Sequence, residues 1–516
     1  MWRRVVPPLL LLAVALALHL PSLRAPFGPG EINAGVFFGP FAQAWEHFGF
    51  AEARGVPFAC SPYGNPQEAM AYLNHPPGAF WIHAACGTAE WQLRLPGLLA
   101  SIAAALLLYA LLKPHVGAVA SCAAGMFLLL APVIAVYSQV SYEPLVLAAG
   151  LLLFFLFESA FTLQQQWQRR LAKLCLLVVA FLCVWLDWAA LFFVLGLFVL
   201  VPGRPKADAL RLAGLALGMA VAGVASVCVW QLWAVHAPLF GTGRTGGDLG
   251  NIVQSALLNR PAFADFMAHC TARLSEGFGG LLPFLALPLG LLMLPGGVWR
   301  VIAALALPAL LNPLLFANHA EGHVFFFAYC TPLLAAAWCG LLLLRARFPL
   351  STCALTALVL LPLLSMTVQG LTASRHPWFR NLGHELDRLT VEQRADAAPV
   401  TYRIHTNLPY AYPYYYKSPG VVLGSTATIL KNAERTHDPR CGLRFLWCDL
   451  DARIANPTGT WSTPRLFESD PGLLARLQTQ SSVAVVSLEG VVPDPQQRLH
   501  VRVQRARVFQ VIEPQR

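Results

Sequence analysis

The sequence predicts an all-α polytopic membrane domain of about eleven spanning helices, followed by a small C-terminal α/β domain. Three observations predict it. Of the 516 residues, 57% are hydrophobic and only 12% are charged, half the roughly 25% that soluble domains carry. Apolar runs of spanning length recur as far as residue 370 and then stop. The short connections rich in Lys and Arg all fall on one side of the resulting topology.

A spanning helix needs roughly 20 apolar residues. On that rule the spans run over 5–21, 95–112, 117–137, 143–161, 171–186, 188–202, 209–234, 277–295, 299–316, 323–344 and 350–370. The first run, Val5 to Leu20, follows Arg3 and Arg4 and resembles a secretory signal. No small-residue cleavage site follows, since Pro21-Ser22-Leu23-Arg24 stands in that place. It is read as an uncleaved first span with its arginines in the cytoplasm. The inner loops then hold Lys113 and His115; Arg169, Arg170 and Lys173; Arg204, Lys206 and Arg211; Arg300; and Arg345 and Arg347. That is the positive-inside pattern. The pair around Asp187 is short, and merging 171–202 into one span would put the later basic loops outside. The charges favour eleven.

Three segments face the outside: 22–92, 235–276, and 371 to the end. The first two exceed the length of simple connectors, and long loops carry function. Their mixtures of Trp, Phe and Pro suggest helices along the interface. Beyond Leu371 charges return, and Val483-Ala484-Val485-Val486-Ser487 and Val501-Arg502-Val503 read as strands. Residues 1–370 are therefore one domain and 371–516 a second. Most of the 12 cysteines lie within spans, where a free thiol is the ordinary state. An oxidising outer compartment permits a disulfide for Cys60 with Cys86 and for Cys441 with Cys448; spacing proves neither. The net charge of +10 is explained by retained inner-loop Lys and Arg, and no aromatic-interleaved basic patch points to nucleic acid.

The first outer loop is the most informative. It opens Phe27-Gly28-Pro29-Gly30-Glu31-Ile32-Asn33 and closes Tyr72-Leu73-Asn74-His75-Pro76-Pro77-Gly78. Glu90-Trp91-Gln92-Leu93-Arg94-Leu95-Pro96 then enters the second span. Taken alone, Glu31 is an interfacial, solvated carboxylate, His75 a loop histidine, and Pro76-Pro77 a rigid turn. A carboxylate at the mouth of a membrane protein is costly unless wet, paired or used.

Together these residues resemble the GT-C membrane glycosyltransferases, in the bacterial branch related to protein O-mannosyltransferases and lipid A aminoarabinose transferase. That pattern has an acidic residue in the first outer loop, a His-Pro-Pro or Lys-Pro-Pro some tens of residues on, and an Arg-Leu-Pro entering the second span. The counterparts are Gly30-Glu31, Asn74-His75-Pro76-Pro77 and Arg94-Leu95-Pro96. Further matches are Tyr137-Ser138, Tyr142-Glu143-Pro144, Leu186-Asp187-Trp188, and His323 with Tyr329 and Pro332. The likeness covers residues 1–370 and departs at Gly30, where the frequent first Asp of an Asp-Glu pair is missing.

The resemblance implies a polyprenyl-phosphate-linked sugar donor and an inverting transfer to a hydroxyl of a lipopolysaccharide, another envelope glycan or a protein. An alcohol is a poor nucleophile near neutral pH, so a carboxylate must take its proton, worth roughly 10²–10⁴-fold. Glu31 is the expected base, with Glu143 next. The departing phosphate needs cations or hydrogen-bond donors, for which His75, Arg94 and His323 are candidates, with Asp187 at the same outer rim. Arg244, Arg260 and Arg273 are weaker, since headgroup binding or snorkelling explains them. His319, Glu321 and His323 alternate in a short loop with no third ligand cluster, so no metal and no cofactor are expected. No phosphate-binding Gly-rich loop is present, which argues against an ATP-driven pump. The rival class is a transporter or lipid flippase; no internal symmetry supports it. The expected setting is a bacterial inner membrane, N-terminus inside and C-terminal domain in the periplasm.

Overall fold

In the computed structural model the described residues are 2–27, 37–58, 71–234, 236–237, 239, 245–246, 261–285, 287–317, 320, 323–343, 349–374, and the strands 402–406, 421–423, 444–448, 482–491 and 502–512. The chain divides into two units. One comprises Met1–Arg24, Tyr72–Val235 and Thr245–Thr372; the other comprises Ala25–Ala71, His236–Arg244 and Ala373–Arg516.

The helices are α1 (Trp2–His19), α2 (Gly39–Phe48), α3 (Gly78–Ala85), α4 (Glu90–Leu130), α5 (Pro132–Ala135), α6 (Glu143–Thr162), α7 (Gln166–Leu186), α8 (Ala190–Val199) and α9 (Lys206–Ala234). After them come α10 (Phe263–Phe278), α11 (Leu282–Leu285), α12 (Leu287–Leu292), α13 (Trp299–Leu315), a 3₁₀ segment (Val324–Cys330), α14 (Thr331–Leu343) and α15 (Pro349–Ser374). Among the described residues, six stretches are long and apolar enough to cross a membrane as single helices, and the bent pair Phe263–Phe278 with Leu282–Leu292 makes a seventh.

Contacts between helix ends show more passages than that. The 41 residues of α4 would extend about 60 Å as one rod, twice the roughly 30 Å hydrocarbon layer. The rod doubles back instead. Gly117 is non-helical, with φ 81° and ψ 170°, and Gly125 sits against the Ala105 carbonyl, where a Cβ would lie 3.1 Å from the oxygen. Residues 20 apart in a straight helix would be about 30 Å apart. Helix α4 is therefore a hairpin, matching the two spans expected over 95–112 and 117–137.

The short pair around Asp187 resolves the same way. Asp187 acts electrostatically on Glu143, the first residue of α6. Arg204, beyond α8, bonds Glu158 near the other end of α6. Helix α7 thus runs to the Glu143 end and α8 returns. Arg300, at the start of α13, bonds both Glu158 Oε2 at 3.1 Å and the Pro202 carbonyl, and Gly297 stands beside His115 at the α4 turn. One end of the bundle therefore gathers His115, Arg204 and Arg300. Helix α4 and the pair α7 and α8 thus each make two passages where the sequence places two spans. Within 235–276, expected as an outer loop with helices along the interface, α10 begins at Phe263 and the chain bends after Gly279, whose φ of 70° favours glycine.

Lipid explains the inverted pattern of α9. Its buried stripe is small (Ala209, Ala213, Ala216, Ala220, Gly223), while Leu215, Val221, Val229 and Leu232 are exposed. Exposed Leu is satisfied by acyl chains, and small residues let backbones approach. Helices α12 and α14 show the limit of approach: a Cβ on Gly340 would fall 1.8 Å from the Gly290 carbonyl oxygen.

In the second unit, Trp45 on α2 donates its indole N–H to the Val56 carbonyl at 2.8 Å. The C-terminal strands β1 (Tyr402–Thr406), β2 (Val421–Leu423), β3 (Arg444–Cys448), β4 (Ser482–Val491) and β5 (Arg502–Ile512) form one sheet in the order β2-β1-β3-β4-β5. Its pairs are parallel except β4 with β5. Of the two stretches read as strands from sequence, Val483–Ser487 lies in β4, and Arg502 and Val503 open β5 while Val501 lies outside the described residues.

Candidate active site

The loop Tyr72–Pro77 is fixed residue by residue from distant segments. Gln231 on α9 donates to the Leu73 carbonyl at 2.9 Å. Trp188 donates its indole N–H to the Asn74 carbonyl at 3.1 Å. His75 Nδ1 lies 2.5 Å from Asp187 Oδ2. Asp187 in turn accepts the Ala189 N–H on Oδ1 at 2.9 Å, satisfying a donor that the first turn of α8 leaves open. The His75 ring stacks on Tyr142 at 4.6 Å and on Tyr72 at 6.0 Å. Gly78, just past Pro76-Pro77, packs on the Trp185 carbonyl, so α3 abuts the end of α7.

Glu143 opens α6 and is 1% exposed. Neither of its carboxyl oxygens makes a well-formed hydrogen bond; the hydroxyls of Ser141 and Tyr142 stand nearby. A buried carboxyl without partners is costly and calls for an explanation. Asp187 and Glu143 both act on the phenols of Tyr72, Tyr142 and Tyr329. Burial first, then these two carboxylates, push Tyr72 and Tyr142 well above the usual phenol range. They stay neutral and able to donate. The Tyr329 hydroxyl is also buried without a hydrogen bond.

His83 on α3 braces the site from below. Its Nδ1 meets the Leu93 carbonyl at 2.6 Å and its Nε2 the Ser141 carbonyl at 3.3 Å. Burial pushes this ring down to about 4, so it is neutral at physiological pH. A neutral ring has one N–H to give, and the nearer Leu93 carbonyl receives it, tying α3 to the start of α4 beside the segment that presents Glu143.

The remaining sequence candidates have other surroundings. Arg94 is buried and donates from Nη1 to the Leu23 carbonyl at 3.0 Å, joining the start of α4 to the end of α1. His323 is half-buried and stacks on Phe325 at 4.8 Å. Arg273 pairs with Glu276, which also accepts the Tyr137 hydroxyl at 2.8 Å. Glu31, Arg244, Arg260, His319, Glu321, Cys60 and Cys441 lie outside the described residues. Cys86 is a free thiol. Among the described residues no group of three or more His, Cys, Asp or Glu could hold a metal ion. The structure thus brings together His75, Asp187 and Glu143. Sequence reasoning missed Gln231 as a loop anchor, although a lone amide in the apolar α9 was a signal for it.

No protein-family model matches the chain, and no curated protein does. Solved structures do. ArnT from Cupriavidus metallidurans bound to undecaprenyl phosphate is similar over 93% of this chain and 92% of that one, at 14% identity and a TM-score of 0.52. The same protein in the apo state gives 15% identity and a TM-score of 0.50 over the same shares. The archaeal oligosaccharyltransferase AglB from Archaeoglobus fulgidus, in complex with an inhibitory peptide and a dolichol-phosphate, gives 11% identity and 0.49 over 82% of this chain and 64% of that one.

Proposed function

We propose that this chain, which has the GT-C fold seen in ArnT, is an inverting membrane glycosyltransferase that moves a sugar from a polyprenyl phosphate to a hydroxyl acceptor. The observation that carries the reading is Glu143: a fully buried carboxyl with no cationic partner among the described residues, next to the Tyr142 ring on which the anchored His75 stacks, at the end of the bundle opposite the basic turns. Unpaired carboxyls within a membrane domain mark function by default. ArnT, the fold's representative here, was crystallised with a polyprenyl phosphate.

In this reading the acceptor hydroxyl gives its proton to Glu31, the base the resemblance implies. Glu143 is the second carboxylate proposed for that proton. As the oxygen attacks the anomeric carbon, the bond to the lipid phosphate breaks and its electron pair leaves with the phosphate. His75 receives that developing charge, and the neutral phenols of Tyr72 and Tyr142 keep the surrounding site polar but uncharged. Arg94 and His323 are proposed as further groups on the donor path. The acceptor is a lipopolysaccharide, envelope glycan or protein at the outer face of a bacterial inner membrane.

The test is transfer of radiolabel from a polyprenyl-phosphate sugar pool to endogenous acceptors in membranes. Glu143→Gln keeps shape and removes charge, and is expected to lower the rate roughly 10²–10⁴-fold with protein level unchanged. Glu31→Gln should do the same. Unchanged transfer in both variants would end the proposal.

A further inference from the structure

We infer that Asp187 is a positioning residue that holds the His75 ring with Nε2 turned to the donor's phosphate, rather than a phosphate contact itself; this rests on the transferase reading above. Both Asp187 oxygens are committed, Oδ1 to the Ala189 N–H and Oδ2 to His75 Nδ1. A third partner carrying negative charge would meet only repulsion there. An ionised carboxylate is acceptor-only, so the bridging proton belongs to Nδ1 and the tautomer is set. Nε2 is the nitrogen left to act.

The scaffold around the ring supports the same assignment. The residues just before His75 cannot drift, because the Leu73 and Asn74 carbonyls are held by Gln231 and Trp188. Tyr142 and Tyr72 stack on the ring. Aromatic faces suit a ring that becomes cationic. With Nδ1–H pointing back at a carboxylate, a neutral ring would offer a phosphate only the Nε2 lone pair. To meet a phosphate, Nε2 must carry an N–H as well, so the proposed role is that of a double donor, one N–H back to Asp187 and one ahead to the phosphate. The His75 side chain is 14% exposed and that of Asp187 6%, so the histidine is the member a ligand can reach.

The experiment uses the purified full-length chain in nanodiscs and radiolabelled undecaprenyl phosphate as the probe. The variants are His75→Ala, Asp187→Asn and the pair together. Asparagine keeps the volume and an oxygen to cap α8 while removing the charge; Asp187→Ser, which also caps, replaces it if D187N does not accumulate. Each single change is expected to weaken binding roughly tenfold, the scale seen when a partner that orients a liganding histidine is removed. The double variant should bind no more weakly than H75A, because Asp187 acts only through the ring. Transfer assays should show the KM for the lipid-linked donor rising more than kcat falls. In a His75→Lys background, where an ammonium needs no tautomer, D187N should change binding less than twofold; a merely structural role would persist there.

Binding by D187N equal to wild type overturns the inference, as does a double variant weaker by the product of the single effects. Failure of the wild-type chain to bind undecaprenyl phosphate would instead bring down the transferase reading on which it rests.

Discussion

Removing one carboxylate at the basic end of the bundle should destabilise the fold more than any surface charge could. Glu158 Oε2 receives Arg204 Nη2 and, at 3.1 Å, Arg300 Nη2; the three side chains are 15%, 15% and 20% exposed. The carboxylate thereby joins α6, the α8–α9 turn and α13. At 3.1 Å and an effective dielectric of about 20, each pair attracts by about 5 kcal/mol before desolvation is subtracted. Deleting one partner of a buried pair costs roughly 3–5 kcal/mol, because the other charge is stranded. Partial exposure lowers that to about 2–4 kcal/mol here. Glu158→Ala should therefore melt on the order of 5–10 °C below wild type, on a slope of roughly 2–4 °C per kcal/mol. Thermal unfolding of the detergent-purified chain measures it. The triple variant Glu158→Ala, Arg204→Met, Arg300→Met strands nothing and should recover at least half of the loss. A single variant melting within about 1 °C of wild type would refute the reasoning. So would a triple variant no better than the single, since the loss would then come from packing and not from stranded charge.

Two further predictions concern the fold. Gly117 and Gly340 should resist alanine for different reasons: a Cβ at Gly117 meets nothing within 4 Å, so only its backbone resists, φ 81° with ψ 170° being open essentially to glycine alone, at about 1–3 kcal/mol. At Gly340 the same methyl collides with the Gly290 carbonyl, and G340A should lower the melting point by roughly 1–3 kcal/mol equivalent or by loss of accumulation. His83 should make the fold acid-sensitive. Its ring is held at about 4 against an ordinary 6.5, so below pH 6.5 the unfolded chain binds a proton that the folded chain refuses. Its contribution is complete above pH 6.5 and is lost as pH falls toward 4, by about 3 kcal/mol in all. His83→Gln, whose amide can still reach the Leu93 carbonyl, should flatten the melting temperature between pH 6.5 and 4.5.

What could be read before folding was whatever depends on composition and periodicity. The spans, their approximate ends and the gathering of Lys and Arg at one end follow from the transfer cost of charge. Even the doubtful pair around Asp187 was decided correctly by basic residues alone. What could not be read was partnership. His75 and Asp187 are 112 residues apart, and nothing in either neighbourhood names the other. Glu158 lies in an apolar run, and Arg204 and Arg300 reach it only after α8 and α13 have turned back. Helices are expected along the interface in 235–276, but the bounds of α10 are not legible, because Asp265, His269, Arg273 and Glu276 dilute its apolar face. Isolated polar residues inside apolar helices were the unused signal: Gln231 bonds the Leu73 carbonyl and Asn312 the Phe326 carbonyl. An amide is tolerated in lipid only where a backbone group awaits it.

The two carboxylates of α6 then argue for where the chemistry lies. They sit on one helix, 15 residues apart, toward opposite ends of the bundle, Glu143 1% exposed and the Glu158 side chain 15%. At Glu158 the fold supplies two guanidinium groups; at Glu143 the described residues supply none, and set a second carboxylate, Asp187, within electrostatic reach. A chain able to neutralise one buried carboxyl bears an unmatched one only if something outside the described chain completes it. In the proposed reading an acceptor hydroxyl does so by donating its proton toward the carboxylate, and the ring that Asp187 steadies, one segment away, is left to meet the donor's phosphate. Had an arginine stood beside Glu143, the pair would have closed on itself and left neither group for a substrate.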